Sequence, residues 1–238
     1  MDKTVPPGGV KGTLRPPCSK SYAQRALAAA LLSEEATVLR NLEFCDDTRS
    51  ALHCIQTLGA RVEQVDPTSL SIKGGLNPRG NRLEVGESGL ASRLFTPIAS
   101  LCHTPIRIVG RGSLLHRPMT MMLEPLRQLG VEVHDHDGYL PVEVCGPIRG
   151  GEVEVDGSVS SQFITGLLLA LPRAERDTTL HVHHAVSTPY LEMTLDTAAR
   201  FGVEIFQRDY SEFYIPGNQR FAATYFSIEG DWSAAAML

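Results

Sequence analysis

The sequence predicts a mixed α/β domain of three pseudo-symmetric β-α-β-α-β-β units arranged around buried helices, and three observations carry that reading. A glycine-centred pattern recurs in Thr57-Leu58-Gly59-Ala60-Arg61-Val62-Glu63, Gln128-Leu129-Gly130-Val131-Glu132-Val133 and Arg200-Phe201-Gly202-Val203-Glu204-Ile205, with the glycines 71 and 72 residues apart. Ahead of each lies an apolar stretch opening on small polar residues, at Ser19, Ser88 and Ser160, spaced 69 and 72 residues apart. Short β-rich runs fill the intervals. A period near 71 residues implies three copies of one supersecondary unit.

In chain order, Ser21–Leu32 carries Ala and Leu around most of its circumference and predicts a helix buried on most sides. Thr37–Leu42 alternates as a strand, Asp46–Leu58 has one apolar face and an acidic first turn, and Leu70–Lys73 is again extended. The second unit repeats the order: buried helix Gly89–Leu101, strand Pro105–Val109, amphipathic helix Pro118–Leu129 and strand Tyr139–Val144. The third follows with Ser161–Leu171, Thr178–His183, Pro189–Phe201 and Glu212–Ile215. Proline opens two of the outer helices, where its missing N–H costs nothing. Each recurrent glycine fits a helix C-cap with positive φ, leading straight into a strand.

Composition narrows the functions. With 22 Lys and Arg against 27 Asp and Glu the net charge is −5, so a general attraction to nucleic acid or anionic membrane is not expected. The longest apolar runs, Ala26–Leu32 and Leu167–Leu171, fall far short of the ~18 residues of a membrane span, and Met1–Val10 lacks the regions of a signal peptide, so the chain reads as cytosolic. Five cysteines in odd number with no C-x-x-C spacing read as reduced thiols. His181 with His183, and His134 with His136, each share a strand face, but no third metal ligand accompanies either pair. Asp46-Asp47 reads as an N-cap and Cys18, beside Lys20, as a thiol without a paired His. No cofactor or metal is expected.

The chemistry concentrates at the helix starts. Three helix N-termini gathered at one end form a natural anion site, because their free N–H groups carry partial positive charge. Lys20 and Arg25 flank the first buried helix, Arg93 lies within the second, and Arg117 precedes an outer helix. Arg25 and Arg93 sit among apolar neighbours, where an unpaired charge is costly, so each requires a fixed anionic partner. Guanidinium groups suit phosphate and carboxylate, and the expected ligand is a small polyanion.

Six blocks now carry a resemblance. Pro17-Cys18-Ser19-Lys20-Ser21-Tyr22-Ala23-Gln24-Arg25-Ala26-Leu27, Asp46-Asp47-Thr48, Gly86-Glu87-Ser88-Gly89-Leu90-Ala91-Ser92-Arg93, His116-Arg117-Pro118-Met119, Asp156-Gly157-Ser158-Val159-Ser160-Ser161-Gln162-Phe163 and Ser187-Thr188-Pro189-Tyr190 resemble, in order, the 5-enolpyruvylshikimate-3-phosphate synthase family of the shikimate pathway. The resemblance implies the inside-out α/β barrel fold of the enolpyruvyl transferases, in which each of two domains holds three such units, so this chain corresponds to roughly half of such an enzyme. It implies that residues 1–18 belong to the second domain, 19–228 form the shikimate 3-phosphate-binding domain, and 229–238, with Glu229-Gly230-Asp231, begin the second domain. Val5–Leu14 and Ser233–Leu238 would then pack outside the three repeats.

The implied substrates are shikimate 3-phosphate and phosphoenolpyruvate, with the second domain as partner. Lys20 would touch both substrates, and Ser21 and Arg25 would hold the shikimate part. Ser160, Ser161 and Ser187 would bind its phosphate, Gln162 would lie between the substrates and Tyr190 would pack near the ring. Gly89 and Arg117 would belong to the phosphoenolpyruvate site, supported by Arg93. The family's acid and base groups fall in the other half, so this half is expected to bind without turnover. A sister enzyme acting on UDP-N-acetylglucosamine and a non-catalytic module for phosphorylated metabolites are the alternatives. Two departures stand out: Cys18 replaces the family's usual Gly in a turn, and Glu87 replaces a common Asn beside the expected anion.

Overall fold

The three outer helices end where the glycines predict, because Gly59, Gly130 and Gly202 adopt φ of 122°, 86° and 73° directly after the last helical turn. In a computed structural model that describes residues 8, 9 and 11–236, these helices are α2 (Asp46–Thr57), α4 (Thr120–Gln128) and α6 (Thr188–Arg200). The buried helices are α1 (Lys20–Leu32), α3 (Gly89–Ala99) and α5 (Gln162–Ala170). Every residue of α3 is buried, as are Ala23–Leu32 of α1 and Phe163–Ala170 of α5. The outer helices bury one stripe each, such as Leu191, Thr194, Thr197 and Ala198 of α6.

Three four-stranded sheets surround these helices with one pattern of pairing. In the second unit β4 (Arg82–Glu84) runs parallel to β5 (Ile106–Val109), which is antiparallel to β7 (Tyr139–Cys145), itself antiparallel to β6 (Glu132–His136). The third unit repeats it with β8 (Gly151–Asp156), β9 (Thr178–His183), β11 (Glu212–Ile215) and β10 (Phe206–Arg208). The first unit uses β1 (Ala36–Arg40), β3 (Ser69–Lys73) and β2 (Arg61–Asp66), and its parallel strand comes from the far end of the chain, as β12 (Tyr225–Ser227). Phe226 on β12 is fully buried against Phe201 at the end of α6, with ring centroids 6.1 Å apart. That burial contributes about 1.5–3 kcal/mol and joins the third unit to the first.

Several boundaries differ from the sequence reading, each for a local reason. α4 begins at Thr120 and not at Pro118, because the Met119 N–H donates to Gly138 O at 2.8 Å and the Pro118 carbonyl is turned to Arg93. Val203–Ile205 is not a strand, since the Gln219 amide takes both backbone groups of Glu204, at 2.8 and 2.9 Å. Asp46 and Asp47 lie in the first turn of α2, whose N-cap is Cys45, so neither is the cap. Cys18 adopts no positive φ: it is buried, bridges to Gly230, and its Sγ accepts from the Glu43 N–H at 3.1 Å. Leu14 and Trp232, in the flanking segments, are exposed, while residues 1–7, 10, 237 and 238, on which part of the flanking expectation falls, lie outside the described residues. α7 is the single turn Trp232–Ala235, capped by Asp231.

α3 and α5 approach closely at Gly166. Pro97 has no N–H to bond the Arg93 carbonyl one turn back. Gly166 comes against that carbonyl, and a methyl on Gly166 would stand 2.4 Å from Arg93 O and 3.2 Å from Leu94 Cα. Replacing Gly166→Ala is therefore expected to destabilise the chain by about 1–3 kcal/mol, read as a lower urea midpoint with an unchanged slope. Thiol chemistry provides a second check. Cys18, Cys54 and Cys102 are buried, and burial raises the thiol of each, that of Cys102 to about 11, whereas Cys45 and Cys145 are half-exposed. Iodoacetamide on the native protein should alkylate Cys45 and Cys145 and spare the other three until denaturant is added.

Candidate functional site

The starts of the buried helices meet at one end of the domain through hydrogen bonds that run from helix to helix. Gln24, one turn into α1, accepts at 3.2 Å from Ser88 Oγ, and Ser88 is the N-cap of α3. Gln162, the first residue of α5, accepts from Arg93 Nη1 of α3 at 2.8 Å. Arg25 of α1 reaches α5 through Thr165 and α6 through Thr194 and the Tyr190 carbonyl. Serine caps two of these starts: Ser19 accepts from Tyr22 N at 3.4 Å and Ser88 from Ala91 N at 3.2 Å. At α5 the N-cap Ser161 makes no side-chain cap bond, and Ser160 Oγ accepts from Gln162 N at 3.2 Å in its place.

At the start of α3 a missing side chain brings two arginines against the backbone. A methyl on Gly89 would lie 3.1 Å from Arg117 Nη1, 3.2 Å from Arg93 Nη1 and 3.6 Å from Gln162 Oε1, so glycine lets both guanidinium groups approach the start of α3 closely. Arg93 is 6% exposed and also donates from Nη2 to Pro118 O at 3.3 Å, while its buried Nε has no partner. Burial, and then the neighbouring Arg117 charge, pull the Arg93 pKa below the usual arginine value. Among the described residues no carboxylate lies within 4 Å of Arg25, Arg93 or Arg117. Positive charge thus collects at a helix N-terminus without an internal counterion.

Arg25 meets its burial in a way the sequence reading did not foresee. It is 1% exposed, and its anchors are neutral oxygens: Thr194 Oγ1, Thr165 Oγ1, and the carbonyls of Tyr190 and Ser21. Burial lowers its pKa to about 10. Thr165 and Thr194 were not singled out from sequence; the visible signal is a hydroxyl interrupting the apolar Phe163-Ile164-Thr165-Gly166-Leu167 run and another on the buried stripe of α6.

A cleft of ≈ 460 Å³ is lined by Lys20, Ser21, Tyr22, Pro189, Tyr190 and Met193 on one side and Glu229–Ser233 on the other. Lys20 is 55% exposed and pairs with Asp47 at 3.2 Å, which raises its pKa through that hydrogen bond and then through charge. Ser187 takes the left-handed conformation, φ 56°, at the start of α6, a strain of about 1–3 kcal/mol for a non-glycine residue. Ser187 and Tyr190 are exposed; α5 and α6 pack side by side, but no hydrogen bond joins Ser187 to Ser160 or Ser161. Glu87 does not pair with an arginine: its carboxylate accepts from Ser113 N and Oγ, at 3.3 and 3.4 Å, and lies against Gly112. It is thereby turned toward the 3₁₀ turn Gly112–His116. His181 and His183 stand on the third sheet against Glu152, Glu212 and Glu154, and His134 stands beside Glu132.

Comparison with known proteins adds an independent line. The family model described as EPSP synthase (3-phosphoshikimate 1-carboxyvinyltransferase) matches residues 5–238. A 3-phosphoshikimate 1-carboxyvinyltransferase from Methanococcoides burtonii is 37% identical over 245 residues, covering 100% of this chain and 57% of the relative. One from Erwinia tasmaniensis is 37% identical over 236 residues, covering 95% and 55%. The solved EPSP synthase of Acinetobacter baumannii shares the fold, with a TM-score of 0.84 at 24% identity over 94% of this chain and 51% of that one. The chain spans about half the length of the curated relatives it matches. With the six sequence blocks, the three-unit fold and a match over nearly every residue in agreement, the chain belongs to the EPSP synthase family.

Proposed function

We propose that this chain supplies the shikimate 3-phosphate-binding half of an enzyme that transfers the enolpyruvyl group of phosphoenolpyruvate to the 5-hydroxyl of shikimate 3-phosphate. The observation that carries the proposal is the collection of Arg25, Arg93 and Arg117 at converging helix starts with no carboxylate of the described residues within 4 Å of them, in a chain of this family. Residues 19–228 form the binding unit in this reading, and 1–18 and 229–238 lead to a second domain that closes over the same end. A cytoplasmic setting fits, and no described helix is long and apolar enough to cross a membrane.

The residues divide the work by chemistry. Ser160, Ser161 and Ser187, at the starts of α5 and α6, receive the phosphate of shikimate 3-phosphate, where backbone N–H groups and the helix dipole favour an anion. Ser21 and Arg25 hold the shikimate part, and Tyr190 covers its ring. Phosphoenolpyruvate lies at the start of α3, beside Gly89 and Arg117, with the Arg93–Gln162 pair supporting it and Lys20 between the two substrates. In the reaction the phosphoenolpyruvate methylene takes up a proton while the 5-hydroxyl, losing its proton, attacks the adjacent carbon. The tetrahedral adduct then expels phosphate and gives back a methyl proton. Held cations oppose the clustered anions and align the 5-hydroxyl oxygen with the carbon it attacks, while proton transfer falls to groups of the second domain.

Calorimetric titration with shikimate 3-phosphate tests the proposal directly. The chain should bind it with one-to-one stoichiometry and bind UDP-N-acetylglucosamine far more weakly. With phosphoenolpyruvate added it should release no phosphate. Absence of shikimate 3-phosphate binding would overturn the proposal, and phosphate release by the chain alone would overturn its division of labour.

A further inference from the structure

Arg25 donates four of its five N–H groups, and every acceptor is neutral. Nε reaches Thr194 Oγ1 at 2.9 Å, Nη2 reaches Thr165 Oγ1 at 3.1 Å and the Tyr190 carbonyl at 3.0 Å, and Nη1 reaches the Ser21 carbonyl at 2.9 Å. The two hydroxyls are themselves ordered. Thr194 Oγ1 donates to the Tyr190 carbonyl at 2.9 Å, so in its 3.0 Å contact with Thr165 it is the acceptor. Both hydroxyl protons therefore point away from the guanidinium and both oxygens turn lone pairs toward it.

The choice of acceptor has an electrostatic consequence. A carboxylate at either threonine would satisfy the same donors, but it would also cancel the charge. Hydroxyls and carbonyls orient the cation without cancelling it, at the expense of burying a net charge among helices. Among the described residues no carboxylate within 4 Å restores neutrality, and Ser21 and Tyr190, whose carbonyls accept from Nη1 and Nη2, both line the cleft.

We infer that Thr165 and Thr194 are positioning residues that hold Arg25 by hydrogen bonds while leaving its charge uncancelled, so that the counterion is an anionic ligand bound at the Ser21–Tyr190 cleft. The inference rests on the proposed binding of shikimate 3-phosphate and specifies what makes the site able to accept it. Stability and affinity are thereby set against each other at these two positions. An acidic residue there should stabilise the free protein and weaken the ligand.

The test uses the full chain with Thr194→Asp, Thr165→Asp and Thr194→Ser, each followed by thermal unfolding and by calorimetry with shikimate 3-phosphate. The expected result is that either acidic variant unfolds at the same temperature as the unmodified chain or higher, yet binds roughly 10- to 150-fold more weakly, the equivalent of one lost charge-assisted hydrogen bond. Thr194→Ser, which keeps the acceptor, should retain affinity within about threefold. A merely structural role predicts the reverse for the acidic variants, a lower unfolding temperature with unaltered affinity in whatever remains folded. Affinity unchanged in a folded acidic variant, or failure of both acidic variants to fold, would overturn the inference while leaving binding by the unmodified chain intact. No binding by the unmodified chain would overturn the proposed function itself, and this inference with it.

Discussion

A guanidinium held away from water by neutral oxygens is the constraint around which this domain is arranged. Removing a cation from water costs several kcal/mol even after relaxation, and among the described residues no carboxylate within 4 Å offsets it for Arg25 or Arg93. Such an arrangement persists only if the surroundings fix it from several sides. Arg25 is gripped by α1, α5 and α6, and Arg93 by Gln162 of α5 and the Pro118 carbonyl, so each cation also locks together the helices that bury it. The hydrogen bonds that orient the site are the same ones that bring the helix starts to one end.

Helix packing must satisfy that geometry, and its demands are visible in residues far from any charge. Arg93 meets Gln162 because α3 and α5 approach closely, and they do so because Gly166 faces a carbonyl left free by Pro97. The parallel strand β12 returns from the end of the chain to complete the first sheet, and Phe226 anchors it on Phe201. Outer faces of the sheets carry exposed pairs such as His181 with Glu152, which contribute little at such exposure.

Much of this was legible in the sequence, and what was not has a common cause. The period of glycines and serine starts revealed three units because caps and helix starts are local, set by residues within one turn. Interactions between distant positions left no such trace. β12 pairs Tyr225 with Val38, and Gln219 displaces a strand at Glu204 through its side chain. The partners of Arg25 lie 140 and 169 residues away, so burial of the cation could be read from its neighbours while the neutral nature of its acceptors could not. The α4 start shifted for the same reason, Met119 being claimed by Gly138 across the β6–β7 turn. At the departures, Cys18 proved compatible with its turn and Glu87 found a role in bonding Ser113, neither of which residue type alone decides.

The central claim is that the counterions of these buried arginines are ligands. Nitrogen-15 spectra of arginine Nε–H groups during titration with shikimate 3-phosphate and then phosphoenolpyruvate address it most directly. Buried Nε–H groups exchange slowly and remain visible near neutral pH, where exposed ones broaden. The account predicts that the Arg25 signal shifts along the shikimate 3-phosphate binding curve, and that the unpartnered Arg93 Nε–H shifts on the second addition. Saturable binding of both ligands that leaves both signals unmoved would contradict it.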